Sequence, residues 1–165
     1  MWRVAWVLLA GCSLLAEKTR PFEPLEIQVR AEAPAPQPTT KVIVTATKID
    51  IHDKVQFQVN SATILQVSYS LLDDVARVMT QNPQIELVQV EGHTDAQGSV
   101  AGNRQLSQQR AESVVQYLIG QGVDARRLVA KGFGPDKPIG DNNTEEGREQ
   151  NRRVEFNILK QGVRQ

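Results

Sequence analysis

Residues 91–98 read Glu91-Gly92-His93-Thr94-Asp95-Ala96-Gln97-Gly98, and the segment that follows, Asn103 to Ile119, carries the strongest helical pattern in the chain. Leu106, Ala111, Val114, Val115, Leu118 and Ile119 recur there on one side, and Gly120 and Gly122 stop the run. Upstream, Ile85 to Glu91 reads as a strand that Gly92 is expected to stop. Strand, glycine-bounded loop and helix together make a βα step, the repeating unit of an α/β layer fold. Asp95 sits in the loop of that step, and such loops are where a rigid scaffold presents groups to a ligand.

The elements on either side agree with this frame. Val42 to Thr47 and Lys48 to Val59 are rich in β-branched residues, with a turn expected at His52-Asp53-Lys54. Asn60-Ser61-Ala62 offers helix caps, and Ile64, Leu65, Leu71, Leu72, Val75, Ala76 and Met79 recur at helical spacing before Asn82-Pro83 ends the helix. Beyond the central helix, Arg127 to Lys131 predicts a short strand ahead of Gly132-Phe133-Gly134-Pro135. Asn143-Thr144-Glu145-Glu146 caps a short helix, acidic at its start, that ends near Asn151. Val154, Phe156 and Ile158 alternate as a last strand. The expectation is a two-layer α/β sandwich of βαβαβ type with a mixed sheet, over residues 41–161.

Outside that domain the composition changes. Residues 12–40 hold five of the eight prolines and read as an extended linker. At about 3.1 Å per residue, roughly 28 residues would reach on the order of 85 Å. Leu25, Ile27 and Val29 alternate within it, either as a short edge strand or by accident. Residues 1–11 have Arg3 at the start and an apolar run from Val4 to Ala10, the form of a signal segment too short to span a bilayer. The tetrad Leu9-Ala10-Gly11-Cys12 resembles the bacterial lipoprotein signal, which implies that the Cys12 thiol is lipidated and becomes the first residue of the processed chain. The other reading is an ordinary secretory signal with an incidental Cys. Ser13 stands where many lipoproteins carry an inner-membrane retention Asp, so the resemblance implies the outer membrane.

Composition excludes several functions. The 165 residues are 40% hydrophobic and 23% charged, enough for a packed core. Nineteen basic residues balance nineteen acidic ones, so no electrostatic footprint for nucleic acid exists. One Cys and two His rule out a Cys/His zinc cluster and an intrachain disulfide. No apolar run reaches the roughly 18 residues of a membrane-spanning helix, which excludes a helical transporter or channel.

Asn103, Leu106, Arg110 and Val114 follow at steps of three, four and four, which puts them on one helix face. Asn103 and Arg110 therefore point the same way from the first two turns. A strand-end carboxylate beside a helix-face guanidinium makes a bipolar site. It suits a ligand with an ammonium and a carboxylate on one carbon, because the planar fork of Arg binds a carboxylate bidentately and Asp accepts from the ammonium. The same pattern also reads as a plain Asp95–Arg110 salt bridge tying loop to helix.

Several motifs carry a family resemblance. They are Gly92-His93-Thr94-Asp95, Gly98, the run from Asn103 to Ala111 with Leu106-Ser107-Gln108-Gln109-Arg110-Ala111, Gly132-Phe133-Gly134, and the closing run Asn143 to Phe156 with Asn151-Arg152-Arg153. In this order and at these spacings, over about residues 49 to 160, the sequence resembles the OmpA-like peptidoglycan-binding domain of OmpA, Pal and MotB-like proteins. The resemblance implies non-covalent binding of the meso-diaminopimelate residue of the peptidoglycan stem peptide. Asp95 would then grip the free ammonium and Arg110 the side-chain carboxylate. Asn103 would add a polar contact and Thr94 would contribute through its backbone. Arg152 either lines the pocket or is a structural ion-pair partner. Gly102 departs from the family, many members of which carry Tyr there.

No cofactor is expected. With His52 as the only other histidine, His93 is expected to anchor its loop rather than to hold a metal. The leading reading is a lipoprotein of the outer membrane whose periplasmic domain tethers it to peptidoglycan. A second reading makes it the wall-anchoring part of a larger envelope machine for secretion, motility or a Tol–Pal-like task. A cell-wall enzyme is the third; it needs a zinc ligand set or a catalytic carboxylate in a deep cleft, and neither is visible in the sequence.

Overall fold

The computed structural model describes residues 42–162. The signal segment, Cys12, the linker and the Leu25–Ile27–Val29 alternation lie outside the described residues.

The described residues open with a tight hairpin of β1 (Val42–Val44) and β2 (Lys48–Ile51). Its turn is at residues 45–47, not at His52-Asp53-Lys54. Thr45 makes it: its backbone N–H and its hydroxyl both donate to the Lys48 carbonyl, and its Oγ1 accepts from the Lys48 N–H. The β-rich stretch after Ile51 is not a strand. Phe57 pairs only with Ile64, across a turn in which Asn60 takes the left-handed conformation at φ 52°. Asn60-Ser61-Ala62 therefore caps no helix. α1 (Tyr69–Gln81) starts further on, behind a single 3-10 turn at Gln66–Ser68.

β3 (Ile85–His93), α2 (Val100–Gly120) and β4 (Leu128–Gly134) then form a parallel crossover unit, and α3 (Glu145–Asn151) leads into β5 (Val154–Gln161). The sheet order is β1-β2-β5-β3-β4, with only β3 and β4 parallel. The mixed-sheet α/β expectation holds. α2 begins at Val100 because Ser99 caps it, its hydroxyl accepting from the Gly102 N–H at 3.1 Å. Thr144 caps α3 in the same way, through the Gly147 N–H.

Register settles which side chains share a face. Val88, Val90 and Gly92 of β3 pair with Leu128, Ala130 and Gly132 of β4 and with Ile158, Phe156 and Val154 of β5. This face meets the helices, and Ile49, Leu72, Val75, Met79, Val114, Leu118 and Phe156 are fully buried in the core. Burying a side chain the size of Phe156 is worth about 3 kcal/mol against leaving it in water.

Gly92 does not stop β3 and Gly132 does not stop β4; β3 runs on to His93, and β4 runs on to Gly134, where it ends. The reason is close approach. A Cβ on Gly92 would stand 2.2 Å from the Ser107 carbonyl oxygen, and one on Gly132 would stand 2.3 Å from the Gln108 nitrogen. The glycines let the first turns of α2 lie directly on the sheet. Ser107, not Leu106, is the fully buried residue at that contact, and its hydroxyl accepts from the Gly134 N–H at 2.9 Å. Gln108 accepts from the Gly132 N–H at 2.6 Å.

Candidate functional site

Asp95 lies two residues past the end of β3, and α2 starts five residues later, so strand and helix hold its loop at both ends. The loop is stitched by side chains. The Asn103 amide donates to the carbonyls of Gln97 at 2.7 Å and Asp95 at 3.3 Å. The Thr94 N–H donates to the Gly134 carbonyl and its hydroxyl to the Asp95 carbonyl. The Ala96 N–H donates to Asn142, which in turn accepts from Asn151. Asn103 and Thr94 thus hold the loop that carries Asp95, through bonds to backbone carbonyls.

The Asp95 carboxylate is buried, 8% exposed. Its Oδ1 accepts from the Gln97 N–H at 3.1 Å and its Oδ2 from Arg152 Nη1 at 2.7 Å. Arg152 sits at the C-terminal end of α3 and gives its other nitrogens to Glu145 and Glu149, which lie seven and three residues before it on the same helix. These three carboxylates hold the Arg152 guanidinium well above its ordinary pKa, the Asp95 bond acting first. Arg152 and Arg148 hold Glu145 below the usual carboxylate range; for Glu149, burial works the other way and is outweighed by Arg152 and Lys54.

Arg110 reaches the same region from α2 and ends differently. Its Nε donates to the Ser61 carbonyl at 3.0 Å, and its guanidinium lies 5.0 Å over the Phe57 ring. Burial lowers its pKa, and nearby Asp95 and Arg152 act in opposite directions on it. Among the described residues, no carboxylate lies within ion-pair distance of Arg110. The Asp95–Arg110 salt bridge is therefore not formed; Asp95 pairs with Arg152. The segment expected to cap a helix, Asn60-Ser61-Ala62, instead supplies the carbonyl that orients Arg110.

Arg110, Arg152, Phe57, Lys54 and Glu149 line one cleft of about 380 Å³. Asp95 lies behind Arg152 rather than on the cleft wall. The arrangement offers an anion a half-buried cation that has no anionic partner among the described residues. It offers a cation the Asp95 carboxylate, once Arg152 moves aside or shares it.

Asn151 stands in the sequence only as a member of the Asn151-Arg152-Arg153 motif, with no role of its own. It is fully buried, accepts from the N–H groups of Ile139 and Gly140, and donates to the Gly140 carbonyl and Asn142. It fastens the end of α3, and with it Arg152, to the loop that touches Ala96. A buried Asn inside a polar run gives no periodic signal, so only its place directly before Arg152 could have pointed to it.

The OmpA family profile matches residues 56–152. The chain is 44% identical over 110 residues to the probable lipoprotein YiaD of Escherichia coli strain K12, across 67% of this chain and 50% of that protein. It therefore spans about half the length of that relative. Among solved structures, it resembles the cell wall anchor of the T6SS from Pseudomonas aeruginosa at a TM-score of 0.62 and 29% identity, covering 74% of this chain and 90% of that one. It resembles the peptidoglycan-associated lipoprotein from Burkholderia pseudomallei at 0.58 and 29% identity, covering 64% and 90%.

Proposed function

The chain belongs to the OmpA family, and from that premise we propose that it is a lipoprotein that holds peptidoglycan non-covalently through the diaminopimelate residue of the stem peptide. The observation that carries this reading is the state of Arg110. A half-buried guanidinium whose described hydrogen-bond partner is one carbonyl, and which has no carboxylate among the described residues, is set to receive an anion from outside. The free end of diaminopimelate carries a carboxylate and an ammonium on one carbon. The carboxylate pairs with Arg110, and the ammonium takes up Asp95 in place of, or beside, Arg152 Nη1. Asn103 and Thr94 position Asp95, and Arg152 keeps its charge compensated while the site is empty.

Cys12 carries the lipid, and the linker lets an outer-membrane anchor and a wall-bound domain act at once. Two acyl chains make a stable anchor where one does not. The domain binds the wall without cleaving it; muropeptide analysis after long incubation checks this, and a specific product lost on mutating one residue would overturn it. The likeness to the T6SS wall anchor favours a second reading, in which the tether serves a larger envelope machine. Co-purification with the intact lipoprotein separates the two. The wall-binding reading itself is tested by sedimenting purified protein with diaminopimelate-type wall. The control is wall in which that carboxylate is amidated or diaminopimelate is replaced by Lys. Equal binding to both walls would sink it.

A further inference from the structure

Turned away from the helices, the other face of the sheet carries a second polar cluster. Glu91 of β3 and Glu155 of β5 are direct cross-strand partners, so two carboxylates stand side by side on one face. Like charges directly opposite across a ladder repel and need compensation. His93 lies two residues along β3 on that same face, with its ring stacked on Phe133 at 5.5 Å. It is 2% exposed, and among the described residues neither of its ring nitrogens has a hydrogen-bond partner. A neutral imidazole carries one N–H, so at least one donor and one lone pair are buried unused, which costs free energy unless something occupies them.

One ligand atom from each of Glu91, His93 and Glu155 lies within 4.8 Å of the others. His93 Nε2 and Glu91 Oε2 are 3.6 Å apart. Two ligands at about 2.0–2.2 Å from a tetrahedral zinc ion stand roughly 3.4 Å from each other, so the spacing is that of a metal edge and longer than a hydrogen bond. We propose that Glu91, His93 and Glu155 form a site for a divalent metal ion of the zinc class, bracing β3 against β5. This is independent of the wall-binding reading.

Cations already stand there. Lys137 Nζ lies 2.9 Å from Glu91 Oε2 and 3.6 Å from the Phe133 centroid, and Arg153 Nε donates to Glu155 Oε1 at 2.7 Å. Lys48 approaches Glu155 Oε2 at 3.5 Å. Arg153 leaves Oε2 of Glu155 to Lys48, whose side chain is 34% exposed and would give way to the ion there. The Lys137 side chain is 49% exposed and reaches the cluster from a loop, so it can swing into solvent while the ion takes its place on Glu91. Burial holds His93 neutral at pH 7, the form that ligates. Lys137 is therefore a competitor, and its removal should favour the ion.

The test is Zn²⁺ titration by calorimetry on the tag-free full chain carrying Cys12→Ser, so that neither a tag nor the thiol binds metal. One Zn²⁺ should bind and raise the melting temperature. Glu91→Gln and Glu155→Gln, near-isosteric changes, should each weaken binding by at least about tenfold, equivalent to about 1.4 kcal/mol. Lys137→Met should tighten it, and His52→Ala should leave it unchanged. No binding to either the Cys12→Ser chain or its Lys137→Met variant would overturn the proposal. So would affinity retained in either Gln variant, which marks adventitious surface binding.

Discussion

Asp95 Oδ2 and Arg152 Nη1 meet at 2.7 Å, while Arg110, the cation that shares a cleft with Arg152, has only the Ser61 carbonyl and the Phe57 ring as its described partners. One ion pair closed and one cation left open is an asymmetric arrangement, and the consequences for binding differ between the three residues.

Asp95→Ala and Arg110→Ala should each abolish sedimentation with diaminopimelate-type wall. Removing one partner of a desolvated charge pair costs about 2–5 kcal/mol, much of it the penalty on the abandoned ligand charge. Arg110→Lys should also bind poorly, because a point charge cannot copy the bidentate fork. Melting temperatures measured beside sedimentation distinguish a lost contact from a lost fold. Normal binding by folded variants would remove this site.

Arg152→Ala should behave otherwise. Its own side chain is 32% exposed, but the Asp95 side chain it pairs with is only 11% exposed; its removal leaves that carboxylate nearly buried and unpaired, which should cost about 3 kcal/mol of stability in the absence of ligand. Wall binding should persist, since the ligand's ammonium can compensate Asp95 directly. A loss as complete as that of Asp95→Ala would instead assign Arg152 a direct ligand contact.

Gly92→Ala should destabilise the domain by about 3 kcal/mol, at the upper end of what overpacking costs. The new methyl would stand 2.2 Å from the Ser107 carbonyl, which is backbone and cannot rotate away. Urea unfolding measures it. A loss under about 0.5 kcal/mol, the usual range for surface changes, would contradict the tight seating of α2 on the sheet.

His93 should make stability fall with acid. Burial, helped by Arg153 and opposed by Glu155 and Glu91, pushes its pKa down from 6.5 to about 4, with Lys137 adding to the depression. As pH falls below about 6.5, the unfolded chain takes up a proton that the folded chain refuses. The contribution is complete above that pH and is lost toward about pH 4, amounting to about 3 kcal/mol. Glu91 and Glu155 are held below the ordinary carboxylate range. Burial of each is outweighed, by Lys137, Gln89 and Asn157 for Glu91 and by Arg153 and Lys48 for Glu155, so their loss adds at still lower pH. Proton NMR of the chelator-treated protein should show the His93 ring not titrating above about pH 5; a midpoint near 6.5 would refute this.

Cys12→Ser should leave the chain without lipid and out of the membrane fraction, while wall sedimentation of the purified protein persists. A wild-type protein recovered soluble, acyl-free and starting elsewhere would rule out the anchor.

By itself, the sequence determined the elements with strong local signals: the strand run of β3, the alternation that makes β5, the Asn82-Pro83 stop of α1, the Thr144 cap of α3, and the one-face spacing of Asn103 and Arg110 on α2. Those signals are local, because each depends on backbone propensity or periodicity within a few residues. It placed the glycine-rich ends of β3 and β4 wrongly, because Gly92 and Gly132 look like breakers along the chain and act as contact points across it. Only the tertiary structure decided which charges pair. Asp95 and Arg152 are 57 residues apart and Arg110 and Ser61 are 49 apart, so no spacing rule could choose Arg152 over Arg110 as the partner of Asp95. The same holds for Glu91 and Glu155, made neighbours by the β3–β5 register. Ion pairing follows distance in space, and that distance is set by sheet order and by how closely α2 sits on the strands.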